Sequence, residues 1–111
     1  MYTQGKRILY LILHKRWFNE IVSGRKKIEY RDVTPYWQVR IEGRSYNEIH
    51  FKNGYNRSAP FMRVEYKGWK FSQWKGKRVY ALVLGEILEI RNYSYLNVSG
   101  NSTRNAAGND K

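Results

Sequence analysis

The chain has 111 residues, with 21 Lys or Arg against 9 Asp or Glu and a formal net charge of +12. This length fits one domain with a single modest core, and a composition of 41% hydrophobic and 16% aromatic residues can fill it, which excludes disorder as the default state. So large a positive charge repels itself in a compact protein unless a polyanion binds, so composition favours nucleic acid over an anionic membrane surface or a merely soluble basic domain.

The residue types also limit the chemistry. The absence of Cys excludes disulfides and thiolate metal sites, and only His14 and His50 are present as imidazole ligands, too few for an ordinary zinc site. The longest apolar run, residues 8–13, is too short to cross a membrane, and no small-residue cleavage site follows it. We therefore expect a cytoplasmic protein with no cofactor, no metal and no membrane association.

The first third of the chain predicts a strand, a helix and a second strand. Residues 8–13, ILYLIL, are apolar on both faces, which is typical of a central buried strand. Residues 16–24, RWFNEIVSG, place apolar side chains on one face of a two-turn helix, and Gly24 can adopt the left-handed conformation that ends a helix. Residues 26–31, KKIEYR, alternate apolar and charged side chains, which predicts a strand with one charged face.

The remainder predicts a second helix followed mainly by strands. Thr34 and Pro35 form an N-cap and first helical position, and residues 48–52 alternate as a strand before a turn at Asn53 and Gly54. Residues 61–71 predict an extended segment broken at Gly68, and residues 78–90 predict a strand with a bulge or bend at Gly85.

These elements predict an α+β fold over residues 1–98, with two short helices at the ends of a small curved or barrel-like sheet. Residues 99–111 are rich in Asn, Ser and Gly and poor in apolar side chains, so they bury too little surface to offset their ordering entropy. We expect that segment to be a disordered C-terminal tail.

The charged stretch GRKKIEYR, residues 24–31, is the candidate site. On a strand Glu29 and Arg31 point to the same face, with Lys27 beside them and Lys26 at the turn that leads into the strand. One interpretation is an exposed face whose Glu and Arg pair weakly in water. The other is a site, because the helix that ends at Gly24 brings this face next to the end of the first strand. The residues at that strand end are His14, Lys15 and Arg16.

The same stretch has the form G-x-K-x-x-E-x-R and resembles the motif of the ASCH domains, which are relatives of the PUA domains. The order of predicted elements over residues 8–90 also looks like that of small bacterial or phage ASCH proteins. The resemblance implies a PUA-like β-barrel of about five to six strands and a role in RNA binding or RNA-linked regulation. It also implies a cleft in which Lys26, Glu29 and Arg31 face the ligand.

Those three residue types suit nucleic acid in several ways. Lys26 can meet a phosphate as a point charge, and Arg31 can pair with a phosphate or a guanine edge through its planar fork. Glu29 can orient Arg31 or accept a hydrogen bond from an exocyclic amine. The residue types do not choose among these roles.

Enzymatic activity is left open, with binding preferred. Some ASCH proteins look like amidohydrolases of acylated cytidine, but those carry a Thr nucleophile where this chain has Glu29, and a carboxylate does not replace that hydroxyl with equal ease in acyl transfer. A ribonuclease would use Lys26 and Glu29 with His14 as an acid–base group. A third alternative is a small adaptor that binds a protein or a nucleotide-like ligand.

Binding single-stranded nucleic acid needs aromatic faces beside cations. In the basic segment 67–78, Trp69 and Trp74 are the aromatic candidates, whereas Trp17 and Trp37 lie on apolar helical faces and are assigned to the core. Tyr30 is expected to be half-buried. The predicted nucleic-acid-binding residues are Lys15, Arg16, Lys26, Lys27, Glu29, Arg31, Trp69, Lys70, Trp74, Lys75, Lys77 and Arg78.

Overall fold

A computed structural model describes residues 6–94, 101–103 and 108–109 of the chain. Its elements are β1 (Ile8–Ile12), α1 (Lys15–Val22), β2 (Ile28–Asp32), α2 (Pro35–Ile41), β3 (Glu48–Lys52), β4 (Phe61–Trp74), β5 (Lys77–Arg91), β6 (Asn101–Thr103) and β7 (Gly108–Asn109). The last two strands pair with each other in a separate two-stranded sheet. The other residues of the predicted tail, 99–100, 104–107 and 110–111, fall outside the described residues. The disorder predicted for residues 99–111 therefore stays a prediction.

The sequence correctly predicts where α1 ends and where α2 begins, because each of these helix ends is fixed by neighbouring residues. Gly24, just beyond α1, has a φ of +84°, and its N–H donates to Ile21 O at 3.0 Å. This is the left-handed helix end that glycine favours. At the start of α2 the Thr34 hydroxyl accepts a hydrogen bond from Trp37 N–H at 3.2 Å, and Pro35 occupies the first turn.

The main sheet is mixed and has the strand order β1-β3-β4-β5-β2. β1 and β3 run parallel, and the other neighbouring pairs are antiparallel. The ladder between the long strands β4 and β5 shifts register near Gly68, whose φ is +107°, and at Gly85. These irregularities confirm the predicted break and bulge, and bulges of this kind bend a sheet. The α+β class with two short helices is confirmed, while closure into a PUA-like barrel stays a prediction.

One face of the sheet, which we call the inner face, carries the hydrophobic core. Leu9 and Leu11 of β1, Phe51 of β3, Met62 of β4 and Tyr80 of β5 are all buried there. The edge strands β1 and β2 are joined by a side chain, because Arg31 Nη2 donates to Ile12 O at 3.1 Å. That contact places the charged residues of β2 at one end of the core. No helix in the described part of the chain is long and apolar enough to cross a membrane.

Candidate nucleic-acid interface

A cleft of about 750 Å³ lies beside the edge strand β2. Its walls come from α1, from the turn between α1 and β2, from β2 itself and from Trp74 at the end of β4 and Val79 of β5. We call it the β2 cleft. Its charged lining consists of four cationic and three acidic residues: Arg25, Lys26, Lys27, Arg31, Glu20, Glu29 and Asp32.

Glu29 is the buried centre of the charged motif. Its Oε2 accepts a hydrogen bond from Arg31 Nε at 3.0 Å and lies 2.8 Å from Arg31 Nη2, while its Oε1 lies 3.4 Å from Lys26 Nζ. The side chains of Glu29, Lys26 and Arg31 are 7%, 15% and 18% exposed. The alternative of a weak ion pair in open water therefore does not apply, because all three groups are largely removed from solvent.

Arg31 is fixed on more than one side. Besides Glu29 it contacts the carbonyl oxygen of Ile12, and its guanidinium carbon lies 5.1 Å from the ring centre of Trp37. A planar guanidinium held by a carboxylate, a carbonyl and an aromatic ring has little rotational freedom. Arg31 thus both joins the two edge strands and presents its remaining donors in a defined direction.

Lys26 lies among aromatic rings on the floor of the cleft. Its Nζ donates to Ile28 O at 2.6 Å and lies 5.2 Å from the ring centre of Trp17 and 5.4 Å from that of Tyr30. Both distances are within the range of cation–π attraction. The Ile28 carbonyl is free for this contact because Lys27 O is the group that pairs with β5, and backbone groups alternate along an antiparallel edge.

Two aromatic walls face the cleft. Tyr30 and Trp74 stack with ring centres 5.3 Å apart and an interplanar angle of 25°, and Trp74 is 44% exposed. On the other side Trp17 lines the cleft, with Arg16 Cζ 4.6 Å from its ring centre. The assignment of Trp17 to the core is therefore correct only in part, because Trp17 packs against the core and also lines the cleft. Tyr30 is half-buried, as predicted.

Trp69, the other aromatic candidate, is not brought to the cleft. It is half-buried and packs against the core. Its ring makes edge contacts with the rings of Phe71 and Tyr80, with ring centres 5.1 and 5.5 Å apart. Trp69 and Trp74 occupy opposite faces of β4, because the residues paired with Trp69 and Phe71 point into the core. The two tryptophans are five positions apart, an odd number, and side chains alternate between the two faces of a strand.

The other predicted cations divide between the cleft rim and more distant surfaces. Lys77 Nζ lies 3.9 Å from Asp32 Oδ1 and Lys75 Nζ lies 5.7 Å from the ring centre of Trp74, so both are at the rim. Arg78 does not line the cleft, and its Cζ lies 3.7 Å from the ring centre of Phe71. Lys15 and Lys70 are exposed and do not line the cleft.

The acid–base group of the ribonuclease alternative lies elsewhere. His14 is the N-cap of α1, is exposed and is not among the residues that line the cleft. Both oxygens of Glu29 already face cations. The structure thus brings Lys26 and Glu29 together without His14.

A second charged cluster, which sequence reasoning missed, surrounds Glu48 on the opposite, outer face of the sheet. The buried Glu48 lies 2.9 Å from Lys6 Nζ, 2.8 Å from Arg63 Nη1 and 3.0 Å from His50 Nε2. The hydrogen bond from Lys6, with those from Arg63 and His50, outweighs burial and lowers the pKa of Glu48 to about 2. The alternation of Glu48 and His50 was visible in the sequence, but their partner Arg63 depends on the pairing of β3 with β4.

The cluster continues across the next strand. Arg63 Nε donates to Glu89 Oε1 at 2.8 Å, and this bond lowers the pKa of Glu89. Glu89 Oε2 in turn lies 2.8 Å from Arg91 Nε. Glu48 and Glu89 are therefore each shared between cations.

Within the described residues, no group of three or more His, Asp or Glu side chains is placed to hold a metal ion. No family model, no curated protein and no solved structure matches the chain.

Proposed function

We propose that the chain is an ASCH-type, PUA-like domain that binds single-stranded RNA and takes an unpaired base into the β2 cleft. The observation that carries the proposal is the floor of the cleft. There Lys26 lies between the rings of Trp17 and Tyr30 and beside the buried pair of Glu29 and Arg31.

The charge of the cleft favours a base over a bare phosphate. Its four cationic side chains are nearly balanced by three acidic ones, so the cleft itself attracts a polyanion weakly. A nucleobase edge carries both donors and acceptors and can use such a mixed lining. The surplus cations lie at the rim or beyond it, where they can contact backbone phosphates, which position a strand without specifying its sequence.

The aromatic walls favour an unpaired strand. A base inside a duplex offers its face only to its neighbours, whereas an unpaired base can stack on a protein ring. Trp74 offers such a ring at the cleft, because it stacks on Tyr30 and the residue is 44% exposed. Stacking of one base on an aromatic side chain contributes about 1–3 kcal/mol.

The test is a titration by fluorescence anisotropy of single-stranded RNA, duplex RNA and duplex DNA of matched length, at several salt concentrations. We expect a preference for single-stranded RNA that persists as salt rises, because stacking is not screened. Replacing Trp74 with Ala should weaken this binding about tenfold. Tyr55→Ala is the matched control, since Tyr55 is 87% exposed and does not line the cleft.

Two results would contradict the proposal. Equal affinities that all collapse with salt would mean a generic polyanion surface, and equal effects of the Trp74 and Tyr55 variants would remove the cleft from binding. Arg31→Ala is a poorer probe, because it would leave Glu29 with Lys26 as its remaining cation and disturb folding. Turnover of acylated cytidine that is lost in Lys26→Ala would instead identify a hydrolase.

A further inference from the structure

The outer face of the sheet carries a second groove, of about 320 Å³, near the ends of β1, β3, β4 and β5. We propose that this outer-face groove is a second nucleotide-binding subsite, which takes a phosphate and a stacked base of the strand whose other base enters the β2 cleft. The inference rests on the proposed function. The residues that carry it are Tyr10, His50, Lys52, Arg57, Phe61 and Arg91.

Strand register builds the groove. Tyr10 pairs with His50 in one cross-strand row, and Lys52, Phe61 and Arg91 follow one another in the next row. Residues directly opposite one another across paired strands share a face of the sheet. Residues far apart in the sequence are therefore brought side by side at one surface.

The aromatic members form a platform with one open ring. The ring of His50 makes edge contacts with the rings of Tyr10 and Phe61, with ring centres 5.5 and 5.2 Å apart. Tyr10 is 70% exposed, so most of this residue is open to solvent. An exposed ring that is held by a neighbouring ring suits base stacking.

The cationic members give the groove the charge that the β2 cleft lacks. No acidic residue is among those that line it. In the described part of the chain Lys52 and Arg57 make no ion pair, so their charge is available to a ligand. Arg91 lies 4.1 Å from the ring centre of Phe61 and is held there by Glu89, which Arg63 shares. Cations beside an exposed ring favour a phosphate next to a base.

The two sites adjoin at the gap between the edge strands. Ile12 lines the outer-face groove, and its carbonyl oxygen accepts the hydrogen bond from Arg31, which lines the β2 cleft. One residue that lines each site is therefore joined to the other by this hydrogen bond. This adjacency is why we assign one ligand to both sites.

The experiment compares a single-stranded RNA octanucleotide with a single ribonucleoside, using wild-type protein and the variants Arg57→Ala, Tyr10→Ala, Trp74→Ala and Arg44→Ala. Arg44 is an exposed cation that lines neither site, so its variant controls for loss of charge alone. For the octanucleotide we expect Tyr10→Ala to weaken binding about tenfold. Arg57→Ala should lower the slope of log affinity against log salt by about 0.7, the value for one phosphate contact on a single strand.

The ribonucleoside separates the sites. It has one base and no phosphate, so it can enter the β2 cleft without the phosphate that the groove's cations would bind, and the Tyr10 and Arg57 variants should bind it like wild type. If both variants match Arg44→Ala on the octanucleotide while Trp74→Ala still weakens binding, the second subsite is wrong and the proposed function stands. If Trp74→Ala has no effect and the groove variants weaken binding, the β2 cleft is wrong instead. Failure of wild-type protein to bind the octanucleotide would overturn both proposals.

Discussion

Replacing Glu29 with Gln tests whether this carboxylate holds the charged motif together. The change keeps the size of the side chain and removes its charge, which leaves Lys26 and Arg31 close together without their shared counter-ion. Removing one partner of a buried ion pair costs about 3–5 kcal/mol. Lys26 and Arg31 stay slightly exposed and keep their bonds to backbone carbonyls, so we expect the lower cost of about 2–3 kcal/mol.

The assay is urea unfolding followed by tryptophan fluorescence, with thermal unfolding in parallel. The expected loss corresponds to a fall in Tm of about 10–20 °C for a domain of this size. Glu20→Gln is the matched control in the same cleft, because Glu20 pairs with the exposed Arg25 at 3.2 Å and such a pair contributes at most about 1 kcal/mol. Equal unfolding midpoints for the two variants would refute the role that we give to Glu29.

Two further predictions concern stability. The folded-state pKa of Glu48 is about 2 and its ordinary value is 4.5. The stability that Glu48 contributes is therefore complete above about pH 4.5 and is lost as pH falls towards 2. Urea unfolding midpoints measured between about pH 2 and 6 should show this fall in stability, and the Glu48→Gln variant should show a smaller one. Tyr66→Phe should leave stability unchanged or raise it by up to about 1 kcal/mol, since among the described residues the buried Tyr66 hydroxyl has no hydrogen-bond partner. A clear loss of stability on thermal unfolding would mean that this hydroxyl has a partner, such as a bound water.

The features that sequence predicts well are those fixed by a residue's own backbone or by a neighbour a few positions away. Gly24 ends α1 because its φ is positive, and Thr34 caps α2 through a hydrogen bond to a residue three positions later. Gly68 marks a register shift for a similarly local reason, because its φ is positive. The motif strand and its charged face belong to this class, because alternation alone places Glu29 and Arg31 on one side.

The features that sequence misses depend on which strands become neighbours. Trp69 was as good a candidate as Trp74, yet the pairing of β4 with β5 turns Trp69 towards the core and Trp74 towards the cleft. The cluster around Glu48 needs β3 to lie between β1 and β4, and the outer-face groove needs the same order. No local pattern contains that order, because it is set by the packing of the whole sheet.

The burial of Glu29 is better explained by positioning than by stability. A buried carboxylate with its cations is often no more stable than well-packed apolar side chains of the same volume. Of the residues that the structure describes, two acidic side chains are buried, Glu29 and Glu48, and each lies beside one of the two proposed sites. Glu29 fixes Lys26 and Arg31 at the β2 cleft, while Glu48 contacts His50 at the outer-face groove.

The same construction therefore occurs on both faces of the sheet: a carboxylate below the surface and a group that lines a site above it. Through Arg63 and Glu89, the Glu48 cluster also reaches Arg91, which lies over Phe61 in the groove. If positioning is the role of these carboxylates, a Gln variant that still folds should bind RNA with a changed preference among bases or lengths. If charge alone mattered, removing a negative group would simply strengthen binding to every polyanion.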